Sequence, residues 1–156
     1  EPPMQQAIDL YTRATDSLAR LGNAIAPLAL RLLLAWEFGV AGLEKLRGQN
    51  WFADIHDRFP FPFGLVPIEV SWLLATWSEL IGAALLAVGL ATRFTSAALI
   101  VLTLVAWAAV HAGLGYNVCQ NGWKLPLIFL VLFVPLLLNG AGTLSLDHLI
   151  GRRLRR

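Results

Sequence analysis

The sequence has one cysteine in 156 residues, and that scarcity sets aside two kinds of protein. No disulfide can form within the chain, and no Cys-x-x-Cys pair is present for thiol–disulfide exchange. Charge is scarce as well: Asp, Glu, Lys and Arg make up 14% of the residues, against about 25% in a soluble domain. With hydrophobic residues at 57%, that excludes a disordered chain and a coiled coil. A chain of 17.1 kDa with a mean hydropathy of +0.64 has too much surface for its size to hide such an excess from water. Phosphate-binding glycine loops, serine-nucleophile elbows, zinc-protease helices and paired-carboxylate hydrolase patterns are also missing. The net charge of +2 comes from an arginine-rich C-terminus rather than a stripe suited to nucleic acid.

The apolar residues are gathered into four blocks: about Ala24 to Leu46, Ile68 to Ala91, Phe94 to Leu114, and Leu125 to Leu138 with a polar-capped continuation to Ile150. Three reach the roughly 20 residues needed to cross a 30 Å hydrocarbon core, and the fourth is shorter. Helices are the only solution, because four spans cannot close a β-barrel. The predicted fold is therefore all-α, an integral membrane four-helix bundle over residues 24–150. Residues 1–23 precede it, and a basic tail covers 151–156. In the N-terminal segment Ile8, Tyr11, Leu18, Leu21 and Ile25 recur at helical spacing, which predicts an amphipathic helix lying on the membrane surface and leading into the first span. Glu1-Pro2-Pro3 ahead of Met4 reads as an expression remnant, and no cleaved signal peptide is recognised.

Cations set the expected orientation. Arg13, Arg20, Arg93, Arg152, Arg153, Arg155 and Arg156 fall on one side, while Lys45, Arg47, Arg58 and Lys124 fall on the other. The positive-inside rule then places both termini in the cytoplasm. The first outer loop, about Arg47 to Pro67, is rich in aromatics and proline. The second, about Gly115 to Lys124, carries Tyr116, Cys119 and Trp123.

An ionisable residue deep in a span costs about 2.5–3.5 kcal/mol on insertion scales, so each calls for a partner or a role. Arg31, Glu37 and Glu79 are such residues, with His111 a turn or so from the outer end of the third block. Glu37 and Glu44, seven apart, share a helical face. At 1.5 Å per residue Glu79 lies roughly 15 Å, Glu37 roughly 12 Å and His111 roughly 5 Å below the outer ends of their spans. One reading is a proton-handling pocket open to the outer side; the other is a polar cluster that fixes helix register. Arg31 is expected to find a partner on another helix or to reach the inner headgroups. His56, His111 and Cys119 share the outer side, but their spacing fits no metal-ligand motif, and no metal site is assigned. Cys119 reads as a buried small residue, with a mixed disulfide to a partner as the other reading. Trp51 and Trp123 suit an outer aromatic belt. Trp36, Trp72, Trp77 and Trp107 either pack or line a flat-ring cavity. Gly39, Gly42, Gly82, Gly89, Gly140 and Gly142 permit close helix approach.

Together these pieces resemble a known family. Arg31-Leu-Leu-Leu with Ala41-Gly42-Leu43-Glu44-Lys45-Leu46 resembles the first-helix signature of the DoxX family. Glu79-Leu-Ile-Gly82 with Leu86, Gly89-Leu90 and Thr92-Arg93 is similar to its second helix and short inner turn. His111, and Asn139-Gly140-Ala141-Gly142-Thr143-Leu144-Ser145-Leu146-Asp147, resemble its third helix and closing pattern. The resemblance spans about Leu28 to Leu149. It implies a four-helix membrane bundle and a place in a redox, thiol or oxidative-stress system, since the family is named for a subunit of a quinol oxidase also described as thiosulfate:quinone oxidoreductase. The loop with Asn50-Trp51-Phe52-Ala53-Asp54-Ile55 and Phe59-Pro60-Phe61-Pro62-Phe63 is similar to that of members encoded beside small Cys-rich, modified metal-stress peptides.

The expectation is a quinone-linked or accessory subunit with a protein partner. On the catalytic version, Glu79, Glu37 and His111 manage protons, Arg31 or Lys45 orients the ring oxygens, and Trp77 and Trp107 flank the ring. The rival expectation is a non-catalytic membrane module that docks or exports a small modified peptide, metal or thiol compound through its outer aromatic loop.

Overall fold

The computed structural model describes residues 3–155; Glu1, Pro2 and the last arginine of the basic tail, Arg156, lie outside the described residues. The protein is 79% helical. Its helices are α1 (Pro3–Arg47), α2 (Ile68–Val88), α3 (Thr92–Ala106), which runs on into a π turn at Trp107–His111, α4 (Lys124–Asn139) and α5 (Leu146–Leu154). Three are long and apolar enough to cross a membrane: α1, α2 and α3 with its π turn. The 16 residues of α4 reach only about 24 Å, but they pack beside the others as a fourth stave. The chain is a multi-pass membrane protein.

The core is one cluster drawn from all four staves: Leu34 and Phe38 of α1, Ala83 and Leu86 of α2, Leu99 of α3, and Phe133 and Leu136 of α4. Phe38 reaches α4, with ring centroids 5.5 Å from Phe129 and 5.4 Å from Phe133. Lipid tails are as apolar as leucine, so burying carbon does not hold such helices together; close packing does. Small residues provide it. A Cβ on Gly42 would stand 2.8 Å from Leu80 of α2, and one on Gly82 would stand 3.0 Å from Leu99 of α3.

The helix boundaries follow local chemistry. Gly89 takes a left-handed φ of 69° and closes α2. The Gly89 amide donates to the Leu86 carbonyl and that of Leu90 to Leu85, the paired bonds of a Schellman motif. The tight turn is therefore Gly89–Ala91, a few residues ahead of the Thr92-Arg93 turn expected from the sequence, and Thr92 already begins α3. Pro27 lies inside α1, so the amphipathic N-terminal segment and the first span form a single continuous helix, about 67 Å long. Residues 3–21 are exposed along almost their whole length.

α5 fastens the end of the bundle from which the N-terminal part of α1 extends. Ser145 caps it, accepting from the His148 amide. The Asp147 carboxylate accepts from the Ala91 and Thr92 amides at 2.7 and 2.9 Å, and the Asp147 amide donates to the Gly89 carbonyl at 2.9 Å. One acidic side chain from the end of the sequence thus caps the N-terminus of α3. Asp147→Ala leaves those two amides unpaired and is expected to cost about 1–2 kcal/mol, the usual value of an N-cap. Thermal unfolding in detergent measures it, and an unchanged midpoint would refute the capping role.

At the opposite end, the first loop is ordered rather than open, with 3₁₀ turns at Phe52–Arg58 and Phe63–Leu65. Phe52 is buried and meets Trp51, Phe59 and Trp72 edge-on, with centroids 5.0 to 5.2 Å apart. This lid packs on α2 and on the π turn of α3.

Candidate functional site

The buried face of α1 is a stripe of Arg31, Leu34, Phe38 and Gly42. The same three- and four-residue spacing continues to Lys45. On α2 the facing stripe holds Ala75, Thr76, Glu79, Gly82, Ala83 and Leu86. Where the two stripes meet, the missing side chain of Gly42 lets the helices approach beside Glu79 and Leu80. Lys45 Nζ donates to both Glu79 carboxylate oxygens, at 3.0 and 2.9 Å. The two side chains are 16% and 8% exposed. Among the described residues this is the one ion pair. A charge pair in such a setting is held only where the geometry satisfies both groups.

The remaining expected site residues fall around this pair in different ways. Glu37 lies half-buried, one position off the α1 stripe, and Glu44 on the same face is exposed. His111 closes the π turn, and its Nδ1 lies 2.6 Å from the Asn121 carbonyl, which ties α3 to the second loop. Trp107, in the same turn, stacks on Trp123 with centroids 5.4 Å apart and planes within 9°. Tyr116 lies against Trp123, and Lys124 sits 5.3 Å over the Tyr116 ring. Trp77 is half-exposed on the outer wall of α2, beside α3. The structure thus joins Lys45 to Glu79 and places Trp107 on the turn that ends at His111. No hydrogen bond links Glu37, Glu79 and His111 among the described residues. Cys119 is exposed, contrary to its reading as a buried small residue, because the second loop folds around Asn117 and leaves its far side open.

Arg31 belongs to the other end of the bundle. It is fourteen residues before Lys45, about 21 Å along α1, and is fully buried. Its Nη2 donates to the Leu144 carbonyl at 2.6 Å, so it found a partner between α4 and α5 rather than in the headgroups. Among the described residues its Nε and Nη1 have no partner, nor do the buried hydroxyls of Thr92, Thr95 and Ser96 at the start of α3. Gly89 leaves the room that this guanidinium fills.

Sequence reasoning missed the Lys45–Glu79 pairing, although a signal was present. Arg31, Phe38 and Lys45 are spaced by seven and share one helix face, so two of the polar residues had to point into the bundle with Phe38. Glu37 and Glu44 follow the same period one position away.

The model of the DoxX family matches residues 26–112, covering α1 from just before Pro27, α2, and α3 through His111. A protein from Haemophilus influenzae, described only as an uncharacterized protein, is 55% identical over 130 residues, covering 83% of this chain and 86% of its own length. No solved structure matches the chain. Over more than half its length, from the buried arginine of α1 to the histidine of the π turn, the chain belongs to the DoxX family.

Proposed function

We propose that this protein is an accessory or quinone-linked subunit of a redox or stress-response system in the bacterial inner membrane, with both termini cytoplasmic. The observation that carries the reading is the Lys45–Glu79 pair buried between α1 and α2. An ammonium has three N–H groups; two are engaged by the Glu79 oxygens, and the third suits a ring oxygen. A carboxylate held by a lysine is a proton acceptor that loses its counter-ion when the lysine turns to another acceptor. Oxidation of a quinol releases two protons and two electrons. Glu79 fits the receiving side of the proton transfer, while the electrons pass to a partner protein with its own redox group. Glu37 on the neighbouring stripe and His111 at the loop end suit the onward path of the proton. Orientation rests on the arginines at the α5 end.

Purified protein is expected to carry extractable quinone or to bind an added short-chain quinone. Glu79→Gln keeps the shape but cannot take the proton, and bound quinone should fall at least tenfold. A wild-type protein that neither carries nor binds quinone would end this reading.

One observation favours the second reading, a docking module. Beyond the aromatic lid, Phe61 is 84% and Leu65 76% exposed, and two apolar side chains on an ordered loop form a contact for a partner. A partner retained in gentle detergent should be lost with Phe61→Ala/Leu65→Ala. Retention by that double variant would exclude the loop as the docking surface.

A further inference from the structure

Two depressions on the outside of the bundle meet at one residue. The first is an apolar groove of about 520 Å³ between α2 and α3, whose lining includes Leu73, Trp77, Ile81, Leu85 and Ala98. The second is a polar pocket of about 750 Å³ at the α5 end, whose lining includes Arg93, Arg152, Arg155, Asn139 and Thr143. Phe94 lines both. An apolar trough on the lipid-facing wall therefore runs into a cationic pocket where that wall ends.

The charge of the pocket is positive on balance. Three arginines line it against one carboxylate, Asp147, and that carboxylate is already occupied by the Ala91 and Thr92 amides. Arg93 spends one N–H on the Leu138 carbonyl at 3.1 Å, which leaves the rest of its guanidinium available. Arg152 and Arg155 sit on the exposed final turns of the chain. A guanidinium takes a phosphate in forked geometry, and basic pockets between membrane helices bind anionic head groups.

We propose that this composite surface is a binding site for one anionic phospholipid, with an acyl chain along the α2–α3 groove and the phosphate in the arginine pocket. Neither half suits a soluble ligand alone. The groove is lined mainly by apolar side chains, with Ser78 and Thr95 its only hydroxyls, and sits where lipid tails are the solvent. The pocket lies where a phosphate attached to such a tail would be. The proposal does not rest on the quinone reading, since it uses none of Lys45, Glu79 or His111; of the residues expected to flank a quinone ring it shares Trp77, on the groove wall.

Native mass spectrometry of the full chain tests it, after transfer from mild detergent with equal amounts of phosphatidylglycerol and phosphatidylcholine. One phosphatidylglycerol should be retained at least tenfold over phosphatidylcholine. Arg152→Gln/Arg155→Gln should weaken that retention roughly fivefold per arginine. Arg13→Gln/Arg20→Gln, an equal charge change on the N-terminal part of α1, should leave it within twofold of wild type. Ala98→Trp, filling the groove, should lower retention of phosphatidylglycerol with the arginines intact. Equal retention of the two lipids would overturn the proposal, as would an equal loss in the Arg13/Arg20 variant. Displacement of the lipid by millimolar inorganic phosphate would overturn the lipid assignment in favour of a free anion. Thermal midpoints of each variant separate loss of the site from loss of the fold.

Discussion

Gly89→Ala is expected to abolish a stable fold, although it adds a single methyl group. Its Cβ would overlap Arg31 Nη1 and stand 2.6 Å from Ser145 Cβ. Neither neighbour can retreat: Arg31 is wholly enclosed, and Ser145 is fixed as the cap of α5. The backbone adds its own cost, since φ is 69° and a left-handed conformation costs an alanine about 1–2 kcal/mol. Displacing the guanidinium would break its bond to Leu144 and leave a buried charged group without its one acceptor, several kcal/mol more. The sum exceeds about 4 kcal/mol, a range reached only by severe core lesions. Gly22→Ala and Gly151→Ala, whose methyl groups would meet nothing within 4 Å, should be neutral or stabilising by up to about 1 kcal/mol. The yield of monodisperse protein and its melting temperature in detergent decide the matter. A Gly89→Ala protein melting within a degree or two of wild type would mean that the α5 end can repack around Arg31.

The second large effect concerns the buried pair. Lys45→Met leaves the Glu79 carboxylate without its counter-charge between two helices, and Glu79→Met does the same to the ammonium. Each single change is expected to cost about 3–5 kcal/mol, the range for breaking a buried pair from one side. Replacing both removes two desolvated charges together, so Lys45→Met/Glu79→Met should recover most of the loss. A double-mutant cycle on unfolding free energy measures the coupling. Singles costing under about 1 kcal/mol would show a pair that water already reaches. A fully stable double variant that no longer binds quinone would separate the role of the pair in function from its role in stability.

The two sites differed in how far they were legible in the sequence. The bundle was readable because a bilayer imposes long apolar runs and leaves helices as the only open-ended solution. Glu79 and Arg31 stood out for the same reason, as charges in a solvent that rejects them. Their partners were not readable. Lys45 is near the end of its helix, where a lysine ordinarily extends to the interface. That Lys45 faces inward follows from its period with Arg31 and Phe38, but its pairing with Glu79 depends on how closely α2 approaches at Gly42, a distance between elements that no periodicity within one helix encodes. The acceptor for Arg31 is a backbone carbonyl 113 residues away, and a carbonyl has no sequence signature.

What the sequence by itself determined is the class: scarce charge and four apolar blocks admit only a helical membrane bundle, because hydrocarbon satisfies no backbone polar group. The stripe from Arg31 to Lys45 was also determined there, since helical geometry alone puts those positions on one face. Only the tertiary structure decided which charge meets which, where each helix ends against its neighbour, and that an apolar groove and an arginine pocket share Phe94. Those outcomes depend on the spacing and rotation of helices relative to one another. Side-chain packing across interfaces sets these, between residues far apart along the chain.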